Sequence, residues 1–332
     1  MRRRDFITLL GGAAATWPLT ALAQQPAAQE PAMRLIGYLS PRSAEADSEF
    51  LIAFRRGLSE TGHVEGKNLT IEYRWADGRY DQLPALAAEL VRQEASVIVT
   101  TGGPEPARAA LAATSTIPIV FTSGSDPVAD GLVKSFNRPG GNATGVHIFT
   151  TSLGPKRLEL LHELVPKVEV IALLVNPSSQ IAKTQVTEVV AAAPSIGLQI
   201  QVLNASTTTE IVQAFASLVQ RGAGALLMSA DLFFQVQRDQ LVALAASHRV
   251  PVMYEWPEFV EAGGLISYAA VRTDALLQSG IYVGRILNGA KPANIPVAQS
   301  TRFELVINRR TANALGLEIP PKLLALADLV ME

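Results

Sequence analysis

Val170-Ile171-Ala172-Leu173-Leu174-Val175, followed by Asn176-Pro177-Ser178-Ser179 and then by apolar residues at helical spacing over 181–193, is the stretch that decides the fold. An apolar run this short, bounded by turn residues, reads as a strand buried on both faces. Asn-Pro-Ser-Ser then punctuates it ahead of the helix. Its weight comes from its position, because the same strand–turn–helix unit has already run through once. Past residue 150 it starts again.

Working back from that restart, Leu35-Ile36-Gly37-Tyr38-Leu39 reads as a strand and 50–58 as a helix carrying Phe50, Leu51, Phe54 and Leu58, stopped at Gly62. Leu69-Thr70-Ile71-Glu72-Tyr73 is a strand and 83–91 a helix, and Val97-Ile98-Val99 and Ile117-Pro118-Ile119-Val120-Phe121 flank a helix over 106–113. Working forward, the strands are Leu198-Gln199-Ile200-Gln201-Val202, Ala225-Leu226-Leu227-Met228, Val250-Pro251-Val252-Met253-Tyr254 and Leu265-Ile266-Ser267-Tyr268, with helices over 211–219 and 236–246. This alternation predicts an α/β protein of two doubly wound parallel-sheet lobes with helices on both faces. Lobe 1 is expected over 34–147 plus part of 270–332, and lobe 2 over 148–269. A helix follows over 276–287. Phe303-Glu304-Leu305-Val306-Ile307 reads as a last strand, expected to return to the first lobe.

At the other end, Met1-Arg2-Arg3-Arg4-Asp5-Phe6-Ile7 is a paired-arginine head with an apolar stretch behind it, and Ala21-Leu22-Ala23 has the small-x-small pattern of a cleavage site. The segment 1–23 therefore reads as a cleaved signal peptide of twin-arginine type, and the protein as periplasmic. Gly11, Gly12, Thr16, Pro18 and Thr20 dilute the apolar run too far for a spanning helix.

Without Arg2, Arg3, Arg4 and Asp5, the 28 basic and 30 acidic residues become 25 and 29. A charge so mild and evenly spread argues against nucleic acid as a partner. The absence of cysteine rules out disulfides and thiolate metal sites. His63, His147, His162 and His248 stand far apart, so no metal site and no cofactor is expected. Catalytic signatures are missing too. There is no G-x-S-x-G elbow, Gly284 to Lys291 departs from a phosphate loop at Ala290, and Gly222-Ala223-Gly224 lacks the third glycine of a dinucleotide fingerprint.

Small polar residues instead gather just past the predicted strand ends. They are Ser40-Pro41, Thr100-Thr101-Gly102-Gly103, Thr122-Ser123-Gly124-Ser125-Asp126-Pro127, Asn176-Pro177-Ser178-Ser179, Ser229-Ala230-Asp231 and Glu255-Trp256-Pro257. In open α/β sheets the carboxyl ends of strands form the ligand crevice, and helix N-termini there present free N–H groups. Each site taken singly reads first as an N-cap. Their spread over two lobes favours a shared cleft, since a cap needs no partner lobe.

Several segments resemble the ABC transporter substrate-binding protein family that includes tryptophan- and tyrosine-binding members. They include Gly62-His63-Val64-Glu65-Gly66-Lys67-Asn68, Asn137-Arg138-Pro139-Gly140-Gly141-Asn142 and Glu261-Ala262-Gly263-Gly264-Leu265-Ile266-Ser267-Tyr268. The resemblance implies a type I periplasmic binding fold, its lobes joined by three crossovers near 147–151, 268–272 and 296–302 and closing on a small molecule. It also implies a monomer that hands its ligand to an ABC permease and performs no catalysis. Carried over residue by residue, the cleft takes Ser40, Thr101, Gly102, Ser123, Ser125 and Asp126 from the first lobe and Asn176, Ser178, Asp231, Glu255 and Tyr268 from the second. Members often follow that tyrosine with Gly-Pro-Asp, whereas here Ala269-Ala270-Val271-Arg272 follows. Arg272 is thereby added as a candidate grip for a ligand carboxylate, or else as a solvated charge at a helix start. Tyr268, Trp256 and Phe149 are candidates to stack on an aromatic part. A sensory module for a membrane receptor and an exported enzyme stay open as alternatives.

Overall fold

The computed structural model describes residues 33–179 and 181–332. The leader expected over 1–23 lies outside them. From Arg34 the chain runs β1 (Arg34–Ser40), α1 (Ser48–Ser59), β2 (Leu69–Trp75), α2 (Leu83–Arg92), β3 (Val97–Thr100), α3 (Pro104–Ala113), β4 (Ile119–Ser123) and β5 (Ala143–His147). The second series is α4 (Gly154–Leu164), β6 (Val170–Val175), α5 (Ala182–Ala192), β7 (Gln199–Asn204), α6 (Thr208–Gln220), β8 (Ala225–Met228), α7 (Leu232–Val236), α8 (Arg238–Ser247), β9 (Val252–Tyr254), α9 (Pro257–Glu261) and β10 (Ile266–Ala270). Then come α10 (Arg272–Leu287), β11 (Ala298–Gln299), β12 (Phe303–Asn308), α11 (Arg309–Leu315), α12 (Pro321–Leu326) and β13 (Leu329–Met331).

The strands assemble into two sheets, ordered β11-β5-β4-β3-β1-β2 and β13-β12-β10-β9-β8-β6-β7. Sequence pattern explains their positions. Val-Ile-Val-Thr of β3 and Ala-Leu-Leu-Met of β8 are buried throughout and sit centrally, while the polar alternation Gln-Ile-Gln-Val-Leu-Asn puts β7 at an edge. Strand order reverses beside β1 in one sheet and beside β6 in the other. The carboxyl ends at those switch points are where a crevice opens in such folds.

One expectation is corrected. The strand over Phe303–Asn308, β12, does not return to the first lobe. It pairs antiparallel with β10, Tyr268 opposite Leu305, and carries β13 beside it in the second sheet. Of the strands after β10, only the short β11 joins the first sheet, beside β5, while α10 packs against α1 across a close backbone approach. Alternation of side chains shows that a segment is a strand but not which edge receives it. Here the apolar side chains of Leu305 and Ile307 complete the second lobe's core beside Ile266 and Leu323.

The chain thus passes between lobes three times: from β5 to α4, from β10 to α10, and from β11 to β12. An aromatic series runs through the passages. His147 lies 4.4 Å from Phe149, Phe149 6.1 Å from Phe303, and Phe303 is stacked on Tyr268 at 6.0 Å. The buried guanidinium of Arg157 on α4 ties two passages together, donating to the carbonyls of Thr150 (3.2 Å) and Tyr268 (2.7 Å).

Candidate ligand-binding cleft

Between the facing carboxyl ends lies a cavity of about 120 Å³. Tyr38, Arg42, Asp47, Phe50, Thr101 and Glu105 line it from the first lobe, Asp231, Gln235, Glu255 and Trp256 from the second, and Thr150 and Arg272 from the passages. A wider mouth of about 480 Å³ adjoins it, shared by Arg79, Tyr80, Glu105, Asn176, Ser178 and Asp231.

Of the residues expected from sequence, Thr101, Gly102, Ser125, Asp231, Glu255 and Arg272 reach the inner cavity, and Asn176 and Ser178 reach the mouth. The others are engaged elsewhere. Ser40 is fully buried, and its hydroxyl accepts from the Arg42 N–H at 3.2 Å. Ser123 is turned to the Ser125 hydroxyl at 3.2 Å. Asp126 closes a turn by accepting from the N–H groups of Val128 and Ala129. Tyr268 and Phe149 belong to the aromatic series, which turns Tyr268 toward Phe303 instead of the cleft. Strand-end position alone cannot separate a side chain aimed into a crevice from one bent back to bond its own loop.

Gly102 has a backbone reason for its place. It stands at φ +80°, and an added Cβ would come within 2.6 Å of the Pro41 side chain. Asp231 does two things at once. Its Oδ1 caps α7 by accepting from the Phe233 N–H (2.9 Å) and also accepts from Asn176 Nδ2 (2.9 Å), which aligns the loop after β6 with the loop after β8.

Arg272 is neither a solvated charge nor a free grip. Its guanidinium carbon sits 4.1 Å from the Trp256 ring centroid and 4.7 Å from that of Phe50, so it is sandwiched between a second-lobe ring and a first-lobe ring. It forms an ion pair with Glu258, and Gln235, with its amide oxygen facing the donors, accepts from Arg272 Nη1 (3.1 Å) and Trp256 Nε1 (3.2 Å). Burial lowers the Arg272 pKa to about 10, against the opposing pull of Glu258. Arg42, the other lining guanidinium, lies 3.8 Å from Asp47 and 5.2 Å over Phe50, and Tyr38 donates to the same carboxylate at 3.2 Å.

Other polar atoms at the cavity have no partner. Glu255 is wholly buried with both carboxylate oxygens unpaired, and the hydroxyls of Thr101 and Thr150 are likewise unpaired. Burial pushes the Glu255 carboxyl well up. The Arg157 charge behind it opposes that shift and Asp231 adds to it. Buried groups left without partners cost free energy, so a polar occupant of this cavity would be favoured. Tyr38, Arg42, Asp47, Phe50, Tyr80, Glu105 and Gln235 were not anticipated. Tyr38 and Phe50 read as core in their strand and helix, and which face of an element meets the other lobe is not a periodic property.

A family model described as ABC transporter substrate binding protein matches residues 43–331. A tyrosine-binding protein of Clostridioides difficile (strain R20291) is 28% identical over 265 residues, 80% of this chain and 76% of the relative. Among solved structures, an ABC domain from Streptococcus pneumonia in complex with L-Trp is 27% identical, covers 90% of this chain and 100% of its own, and superposes with a TM-score of 0.82. The ligand-free, open structure of a substrate binding protein with adhesive properties from Clostridium difficile is also 27% identical. It covers 90% of this chain and 99% of its own, with a TM-score of 0.70.

Proposed function

The chain belongs to the ABC transporter substrate-binding protein family, and on that premise we propose that it is the solute receptor of an importer. It captures a small organic ligand between its lobes, an amino acid or another carboxylate-bearing or aromatic compound, and delivers it to a membrane permease. The work is done by monomeric chains in the periplasm after export on the paired-arginine leader, and no bond is made or broken.

The observation that carries this reading is the cavity between the two lobes, with unpaired Glu255, Thr101 and Thr150 lining it. An occupant that supplies partners would satisfy these groups, and closing both lobes around it would exclude competing water. At equal identity the chain superposes better on the L-Trp complex than on the ligand-free open form, which supports a closed arrangement of the lobes. Tyr38, Phe50 and Trp256 add apolar and aromatic surface to the wall, as a ligand with a ring requires. None of the described helices is long and apolar enough to cross a membrane.

The test is thermal-shift screening against amino acids, aromatic acids, nucleosides and sugars, followed by calorimetry. At least one compound is expected to raise the melting temperature, because a ligand that binds only the folded form stabilises it by mass action. A chain whose melting point no compound moves, and which retains no small molecule from cell extract, is not a solute receptor.

A further inference from the structure

The charges around the cavity are not balanced in the way a carboxylate receptor would need. Both arginines that line it are already engaged: Arg42 by Asp47, and Arg272 by Glu258, Gln235 and two aromatic rings. Arg157 acts on Glu255 from behind but does not line the cavity, and its hydrogen bonds go to the carbonyls of Thr150 and Tyr268. The N-terminus of α3, which could hold an anion, has Glu105 in its own first turn, and Arg108 on the same helix is paired with Asp130. Arg79 stands at the exposed mouth, outside the inner cavity, and the unengaged charges that face the inner cavity are acidic. Glu255 lies fully buried and unpaired in the second-lobe wall, and Asp231 of that lobe and Glu105 of the first repel one another across the cleft. Closing the lobes brings these carboxylates together, which is unfavourable unless positive charge enters between them.

Resting on the solute-receptor reading above, we infer that the cleft selects an organic cation, an ammonium group on an apolar or aromatic body. That charge, and not a carboxylate, is the feature a ligand must carry. Ammonium has three donors and no acceptor, which suits a carboxylate flanked by hydroxyls able to accept. Glu255 takes the charge, Thr101 and Thr150 offer hydroxyl acceptors, and Tyr38, Phe50 and Trp256 face the body of the molecule. Among the described residues no group of three or more His, Asp or Glu is arranged to hold a metal ion, and the wall of Tyr38, Phe50 and Trp256 suits an organic body.

The experiment uses two matched series: tyrosine, tyramine and 3-(4-hydroxyphenyl)propionate, and leucine, isoamylamine and 4-methylpentanoate. Calorimetry on the wild-type protein is expected to show the amine and the amino acid of at least one series binding, and the matching acid weaker by a hundredfold or more. An acid within tenfold of its amino acid overturns the inference, and so does the failure of every amine and amino acid to bind. Glu255→Gln should weaken the amine by at least tenfold, about 1.4 kcal/mol. The same variant should melt above the ligand-free wild type at neutral pH, because burial raises the Glu255 carboxyl and folding the wild type must oppose its ionisation, a cost glutamine does not carry. That gap should shrink toward pH 4, where the Glu255 carboxyl becomes protonated in the unfolded chain as well as in the folded one. Asp231→Asn is the second variant, expected to weaken the amine in the same direction. Unchanged amine affinity in both variants overturns the assignment. An anionic or uncharged solute retained in native mass spectrometry overturns this inference and leaves the solute-receptor reading standing. A protein that binds nothing overturns both.

Discussion

A guanidinium held between two rings and beside a carboxylate is fixed by three attractions at once, and Arg272 has all three. Glu258 keeps part of its side chain in solvent, so the ion pair alone contributes modestly, while the sandwich adds a desolvated cation–π contact on each face. Arg272→Gln is therefore expected to destabilise the protein by about 1–3 kcal/mol in urea unfolding. Affinity for an amine should fall less than it does in Glu255→Gln, because the arginine's charge is already spent within the protein. The position of Arg272, four residues past Tyr268, was legible in the sequence. Its role was not, because the partners come from α9, α7 and α1, none of them near in the chain. Asp231 and Glu255 could be read because strand carboxyl ends converge in this class of sheet. Ser40, Asp126 and Tyr268 obey the same rule and miss, each drawn off by a local hydrogen bond or a ring.

Among the elements, the contact of α1 with α10 sets the first lobe's geometry. Gly57 and Gly280 face each other's helices so closely that a Cβ on Gly57 would lie 2.0 Å from the Leu277 carbonyl oxygen, and one on Gly280 2.2 Å from that of Phe54. Backbone cannot step aside as a flexible side chain can. Gly57→Ala is thus expected to cost about 1–3 kcal/mol or more, although alanine is the better helix former by about 1 kcal/mol. Thermal melting of the variant, compared with that of an alanine at exposed Ser59, measures the difference. Most elements were visible in the chain because their periods are local: the buried runs of β3 and β8 and the helical spacing of α1 need no partner to be recognised. The place of β12 needed one. Its antiparallel pairing with β10 depends on a neighbour more than thirty residues upstream, and alternation says nothing of that.

For the molecule as a whole, closing on a ligand as proposed would be a rotation about the three passages, and its effect is expected to be largest at the mouth. Arg79 of the first lobe and Val236 of the second line opposite sides of the mouth, and both are exposed. The chain has no cysteine of its own, so Arg79→Cys and Val236→Cys together give two unique labelling points. The distance between spin labels there is expected to lengthen in ligand-free protein and shorten at saturation. A distance that saturating ligand does not change would mean the lobes are rigidly joined. The number of passages has a mechanical consequence. Three is odd, so β1 lies in one sheet and β13 in the other. A load applied at these two strands runs through both lobes and their hinge in series, as through links of a chain. An even number would have left both grips on one lobe and the hinge slack.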